Sequence, residues 1–472
     1  MADANRSYMK PFQTILWVVA LLLCLLHLVI LVGHGRILVF YELTPAPAVL
    51  AYGLVILACT VVLVLGVLKT GMRRRKGFGV FCGASTVLLA AGVVWLVLDA
   101  PPPENDYAEE DIRIESNGSY SHLAVFNDAD VEALREKSRW FADNEADTVP
   151  VTEAQSIWKE ISDYRQAIRR LDEKAAICDL PPRGAIDMET PFMRYGALKE
   201  TAAIYHAYCM AMLSQGKGPE AMKPLGQLYR VARKGMRDAT LLFNKMVFIT
   251  LAGRAMDSAY TAVQAEVADV SVLRQLKADF TALDRSEYNL TKVLIGEYLV
   301  LKNSMRKSIS PETFLETFVL SPDSAPRQEP INRQASTFAY YFGFKPNRSL
   351  RDIKDHFDLL IKGQEDYPPD FSAAQDHGRQ YARKPPVRNI VGWVLNNIAY
   401  PDFETYGNRS TAIKIKSDLL AIAIRRRLNE PVEEEDFLSG NDYRYKEESG
   451  QMRHPGRDGV YDTADDIVLS AF

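Results

Sequence analysis

Four aspartates, Asp458, Asp462, Asp465 and Asp466, fall within nine residues of the stretch RHPGRDGVYDTADDIVLS. Hard cations such as calcium take about six to eight oxygens from carboxylates, backbone carbonyls and water. Gly456 and Gly459 permit the sharp turns that would gather these carboxylates, and Ile467, Val468 and Leu469 can return as a strand. The spacing is not that of an EF-hand, because its closing Glu is missing. Two readings stand, a calcium loop or a solvated acidic turn, and calcium is the one cofactor these residues suggest.

Other chemistry is sparser. Ser156 and Lys159 form an SxxK pair, but on an amphipathic helical pattern and without a companion SDN motif they read as chance. His27 and His34, seven apart, share one helix face, where a metal or haem ligand is one reading and a helix–helix hydrogen bond the plainer one. His122, His206, His356, His377 and His454 have no close metal-ligand spacing. Gly-rich phosphate loops are absent. Glu297 interrupts the apolar run LTKVLIGEYLVLKNSM, so it needs either a basic partner, Arg254 or Arg388 being the candidates, or a polar cavity. Cys24, Cys59 and Cys82 lie in apolar runs, whereas Cys178 and Cys209 lie beyond them. In an oxidising compartment that last pair is either a disulfide or two buried thiols.

The elements that would position these groups begin with three apolar runs, residues 12–32, 48–68 and 79–98, each of about the length of a membrane-spanning helix. A cleavable signal fits the first run poorly, because two more hydrophobic runs follow it. Lys69, Arg73, Arg74, Arg75 and Lys76 cluster between the second and third runs, and the positive-inside rule makes that loop cytoplasmic. The N-terminus is then expected inside the inner membrane of a bacterium and everything after about residue 100 outside it. Pro101, Pro102 and Pro103 stop the helix and begin a stiff spacer, residues 101–127, with room for one short strand.

Beyond residue 100 the chain carries 48 Lys and Arg against 57 Asp and Glu, an acidic balance that argues against a nucleic-acid partner. Residues 128–430 show the helical period. Asp128 or Asp130, and Thr152, are candidate caps for helices through Trp140 and Leu171. Helices are expected over 197–213, 221–234 and 239–260, with Gly216 and Gly218 in the first turn between them. Tyr205, Tyr208, Ala221, Leu225 and Tyr229 give that hairpin a tetratricopeptide-like pattern, but with one such unit visible an irregular helical bundle is the leading expectation. Further helices are read over 270–283, 287–305 and 410–428. Residues 308–347, rich in proline, read as an insertion whose aromatic cluster Phe338, Tyr340, Tyr341, Phe342 and Phe344 packs on the core. The fold class is thus mainly α: a three-span anchor over 1–100, a helical body, and a small β and loop tail over 431–472.

The tail GRDGVYDTADDIVL resembles the calcium-binding C-terminal loop of type II secretion major pseudopilins. More broadly, residues 178–472 resemble a group of uncharacterised bacterial envelope proteins, through PVRNIVGW at 386–393, DLLAIAIRRRL at 418–428 and the Asp-Gly tail. These resemblances imply a bound calcium and an extracytoplasmic body, and they imply no activity. The expected role is a membrane-anchored scaffold or assembly factor binding other envelope proteins. A receptor-like ligand-binding domain is the alternative and an envelope hydrolase the third.

Overall fold

The computed structural model describes residues 99–471, except 114–116, 143–149, 182–185, 191–192, 266–267, 308–343, 367, 384–388, 390–391, 394, 397–402, 433–434 and 449, and before residue 99 only positions 18, 22, 87 and 91. Among the described residues no helix is long and apolar enough to cross a membrane, which corrects the three-span fold expected from the sequence. The longest described helices, over 218–238, 242–264 and 403–427, carry charges and pack into a protein core. The runs 12–32, 48–68 and 79–98, together with Lys69, Arg73, Arg74, Arg75, Lys76 and the aromatic residues 338–342, lie outside the described residues apart from the positions just named.

The remaining expectation, a mainly helical body with a small C-terminal sheet, is what the chain forms. In chain order the helices are α1 (Ser119–Ala124), α2 (Val131–Ala142), α3 (Val151–Glu160), α4 (Ser162–Glu173), α5 (Gly196–Leu213), α6 (Gly218–Asp238), α7 (Leu242–Gln264), α8 (Val270–Asp279), α9 (Arg285–Tyr288), α10 (Thr291–Lys307), α11 (Pro346–Gly363), α12 (Ser372–Arg383) and α13 (Phe403–Arg427). Strands β1 (Lys446–Glu448), β2 (Gln451–His454) and β3 (Ile467–Ser470) form an antiparallel sheet in that order, with Met452 opposite Leu469.

The spacer, which leaves room for one short strand, forms none among its described residues and holds a 3-10 turn at Glu109–Asp111 and α1 instead. Gly118 turns the chain at φ 77, and Ser119 and Leu123, four apart, are both buried, a helical rather than alternating pattern. Asp130 caps α2 by accepting from Ala133 N at 3.0 Å, whereas Thr152 lies inside the first turn of α3, which starts from Pro150.

The chain divides into two compact units. The larger, Tyr107–Val300 with Phe357–Ala374 and Asp402–Phe472, is organised around α6, which packs against α5, α7, α4, α8 and α9. Its core holds Tyr205, Tyr229, Tyr260 and Tyr298, all essentially inaccessible, and the Tyr229 hydroxyl donates to Thr281 O at 3.1 Å. Gly235 lets the Phe248 ring lie directly on the α6 backbone, where any side chain would strike it. The sheet closes on α7 and α13 through β3. The smaller unit takes in Met1–Asp106, Leu301–His356 and Gln375–Pro401. In it Ser349 and Asn389 are buried together and hydrogen-bonded, and Asn396 donates to Ser349 O.

Candidate functional site

A set of buried and half-buried ionisable groups surrounds the link Ala239–Thr240–Leu241, where α6 ends and α7 begins. A helix end leaves carbonyls without partners at its C-terminus and N–H groups without partners at its N-terminus, and the macrodipole favours cations at the first and anions at the second. Both rules are met here. Lys245 Nζ donates to Met236 O at 2.7 Å and to Asn289 O at 2.6 Å, and Lys292 Nζ donates to Asp238 O at 2.8 Å. On the α7 side, Asp179 Oδ2 accepts from Thr240 N at 2.9 Å and from Asn244 Nδ2 at 2.7 Å. Glu297 Oε1 accepts from Leu242 N at 2.8 Å.

Burial moves every one of these groups toward its neutral form. It draws the Lys245 ammonium down to about 7, helped by the nearby Lys292 and opposed by Glu287 and Asp238. Lys292 is lowered by burial against the pull of Asp238 and Asp179. Asp179 is raised by burial despite the bonds from Thr240 and Asn244, and Glu297 is raised by burial despite the Leu242 N–H. The Tyr195 hydroxyl is pushed well above its usual value, first by burial and then by Asp179. Asp179 Oδ1, Asn244 Oδ1 and the Tyr195 hydroxyl are buried without a hydrogen-bond partner among the described residues.

Glu297, singled out from the sequence, therefore meets a backbone N–H rather than Arg254, and Arg388 lies outside the described residues. Its neighbour Gly296 is where α10 touches the junction, with the Thr240 carbonyl in the place a Cβ would occupy. Asp179, Tyr195, Asn244, Lys245 and Lys292 were missed from the sequence. The available signal was the Asn-Lys pair interrupting the apolar start of α7.

Cys178 and Cys209 are free thiols, both buried, not the bridge that was one expectation. Cys178 N donates to Ser119 Oγ at 2.8 Å and its thiol to Leu180 O at 3.2 Å, while burial pushes the Cys209 thiol up to about 12. The two thiols are expected to resist iodoacetamide in the folded chain and to label fully in denaturant without reductant. Labelling that needs reductant would instead reveal a disulfide.

The aspartates of the tail are engaged by their own loop and by Arg453 of β2, with Asp466 Oδ1 buried and without a hydrogen-bond partner among the described residues. Asp465 Oδ2 accepts from Arg457 N at 2.7 Å and Asp458 N at 3.2 Å, and its Oδ1 accepts from Thr463 Oγ1. Asp458 accepts from Val460 N, Asp466 from Asp462 N, and Asp462 pairs with Arg453 at 3.1 Å. Among the described residues no group of three or more His, Cys, Asp or Glu side chains could hold a metal ion. A loop closed by its own bonds should need no ion to keep its shape. Chelation is expected to move the melting temperature of the full chain by less than about one degree, and a fall of several degrees would show a filled loop in the native protein. The tail is fastened beside this loop by a buried pair, His454 Nε2 to Asp436 Oδ2 at 2.9 Å, while His454 Nδ1 accepts from Gly456 N. Burial works against the Asp436 charge, but the bonds from His454, Leu438 N and Ser439 outweigh it and hold its carboxyl below the usual range.

Among the described residues, neither Ser156 nor Ser258 is set in catalytic machinery. Ser156 and Lys159 are exposed on α3. His206 Nδ1 is within hydrogen-bond reach of Ser258 Oγ, a pairing invisible in the sequence. However, Ser258 is buried inside α7 and also donates to Arg254 O, so the helix backbone around it offers no N–H to a developing oxyanion. The bond instead ties α5 to α7. No family model matches this chain, and no curated protein or solved structure matches it either.

Proposed function

We propose that this chain is a helical scaffold of the cell envelope whose acidic body binds other envelope proteins on the extracytoplasmic side. The observation that carries the reading is Phe243. It stands 55% exposed in the first turn of α7, its ring 6.0 Å from that of Tyr195, above the junction that holds the helix start rigidly. A large exposed aromatic on a rigid support is the kind of anchor that dominates protein interfaces. The commitment of buried ionisable groups to helix ends and turns, with Ser258 enclosed in a helix, favours binding over turnover.

Crosslinking of the tagged full chain in native cells tests it. One envelope protein is expected to be recovered in near-stoichiometric yield and to be lost from the Phe243→Asp variant, whose melting temperature should stay within about two degrees of the parent. Unchanged recovery with that variant, or no crosslinked envelope protein at all, would overturn the reading.

A further inference from the structure

Asp179 and Asn244, only 2% and 1% exposed, are matched along one edge of their side chains and unmatched along the other. Asn244 Nδ2 donates to Asp179 Oδ2 at 2.7 Å, and Thr240 N donates to the same oxygen at 2.9 Å. The remaining oxygens, Asp179 Oδ1 and Asn244 Oδ1, are both acceptors, both buried, and without a hydrogen-bond partner among the described residues. The Tyr195 hydroxyl, on which burial and then the Asp179 charge act, donates to neither. Among the described residues no cation forms an ion pair with Asp179. Lys292 of α10 acts on it from farther off, with its ammonium bonded to Asp238 O. Cys178 adjoins the carboxyl, and around this set stand Tyr120 of α1, Arg113, and Arg237 and Asp238 at the end of α6.

We propose that Asp179 holds a proton on Oδ1 in the folded chain and donates it to Asn244 Oδ1, closing a cyclic acid–amide pair that ties residues 178–180 to the first turn of α7. One proton satisfies both oxygens. An anion would leave two acceptors unmatched in a dry contact, which costs each of them its lost hydration. A metal cation in the proton's place would meet the positive end of α7 and Lys292. Burial raises the carboxyl even against the bonds from Thr240 and Asn244 and the charge of Lys292. The folded group therefore binds its proton more tightly than the unfolded one. Its contribution to stability is full below the unfolded value of about 3.9 and is lost as pH rises through the folded value.

Urea unfolding of the full chain and of Asp179→Asn, at pH 4 and pH 7, tests the pair. The new amide has a donor for Asn244 Oδ1 and an acceptor for Thr240 N and Asn244 Nδ2, so this variant is expected to fold. Its folding equilibrium constant relative to the parent should rise about tenfold from pH 4 to pH 7, because only the parent gives up a favourable proton over that range. Asp179→Ala loses both bonds and should be weaker at each pH, yet its relative constant should move in the same direction. A relative constant that falls with rising pH is the mark of a charged carboxylate at the start of α7. That result, a constant that does not move, or failure of Asp179→Asn to fold would overturn the proposal.

Discussion

Gly296→Ala is expected to lower the stability of the chain by about 3 kcal/mol, read as a fall in the urea midpoint at constant slope. The new Cβ would be driven into the Thr240 carbonyl, which cannot swing aside because it belongs to the link between α6 and α7. Moving α10 away would also pull Glu297 from the Leu242 N–H, leaving a helix-start donor uncovered. Gly253→Ala on α7 is the control: the nearest atom is Ile413 Cδ1 at 3.5 Å, ordinary contact distance, so helix propensity should stabilise that variant by about 0.5–1 kcal/mol. Equal effects from the two substitutions would mean that the close approach of α10 is not what holds the junction.

Acid should weaken the larger unit through His206. Its ring is held down at about 4, first by burial and then by Arg254, whereas in the unfolded chain it titrates near 6.5. Above pH 6.5 neither state is protonated there and nothing is lost. Between 6.5 and 4 the unfolded state binds a proton that the folded state refuses, so stability falls as pH falls, by about 3 kcal/mol at the lower limit. His206→Asn retains a polar partner for Ser258 but cannot titrate. Its stability at pH 7 is expected within about 1 kcal/mol of the parent, with this part of the pH slope gone. A variant that keeps the full slope would place the acid sensitivity elsewhere.

Local pattern was a good guide to the helices. The period of three and four placed a helix at 197–213, observed as Gly196–Leu213, and Gly216 reverses the chain at φ 76 as a turn glycine should. It was a poor guide where a short segment mixes polar and apolar residues: the spacer 101–127 leaves room for a strand, yet its segment Ser119–Ala124 folds as α1, with Ser119 and Leu123 buried on one side. The Asp-rich tail was recognisable as a turn flanked by a strand, and β3 confirms the strand. Where its carboxylates go was not recognisable, since backbone N–H groups of the same loop compete for them and leave no trace in residue type.

Composition and periodicity alone determined that the body is helical, acidic and finished by a small sheet, because those properties follow from nearest neighbours along the chain. Burial of Glu297 was also legible, since a carboxylate in an apolar run has few places to go. Its partner was decided by tertiary structure, which brought the Leu242 N–H from 55 residues away. The same holds for Lys245, Lys292 and Asp179: each answers an unpaired helix end, and which helix ends lie near which side chains exists only once the helices have packed.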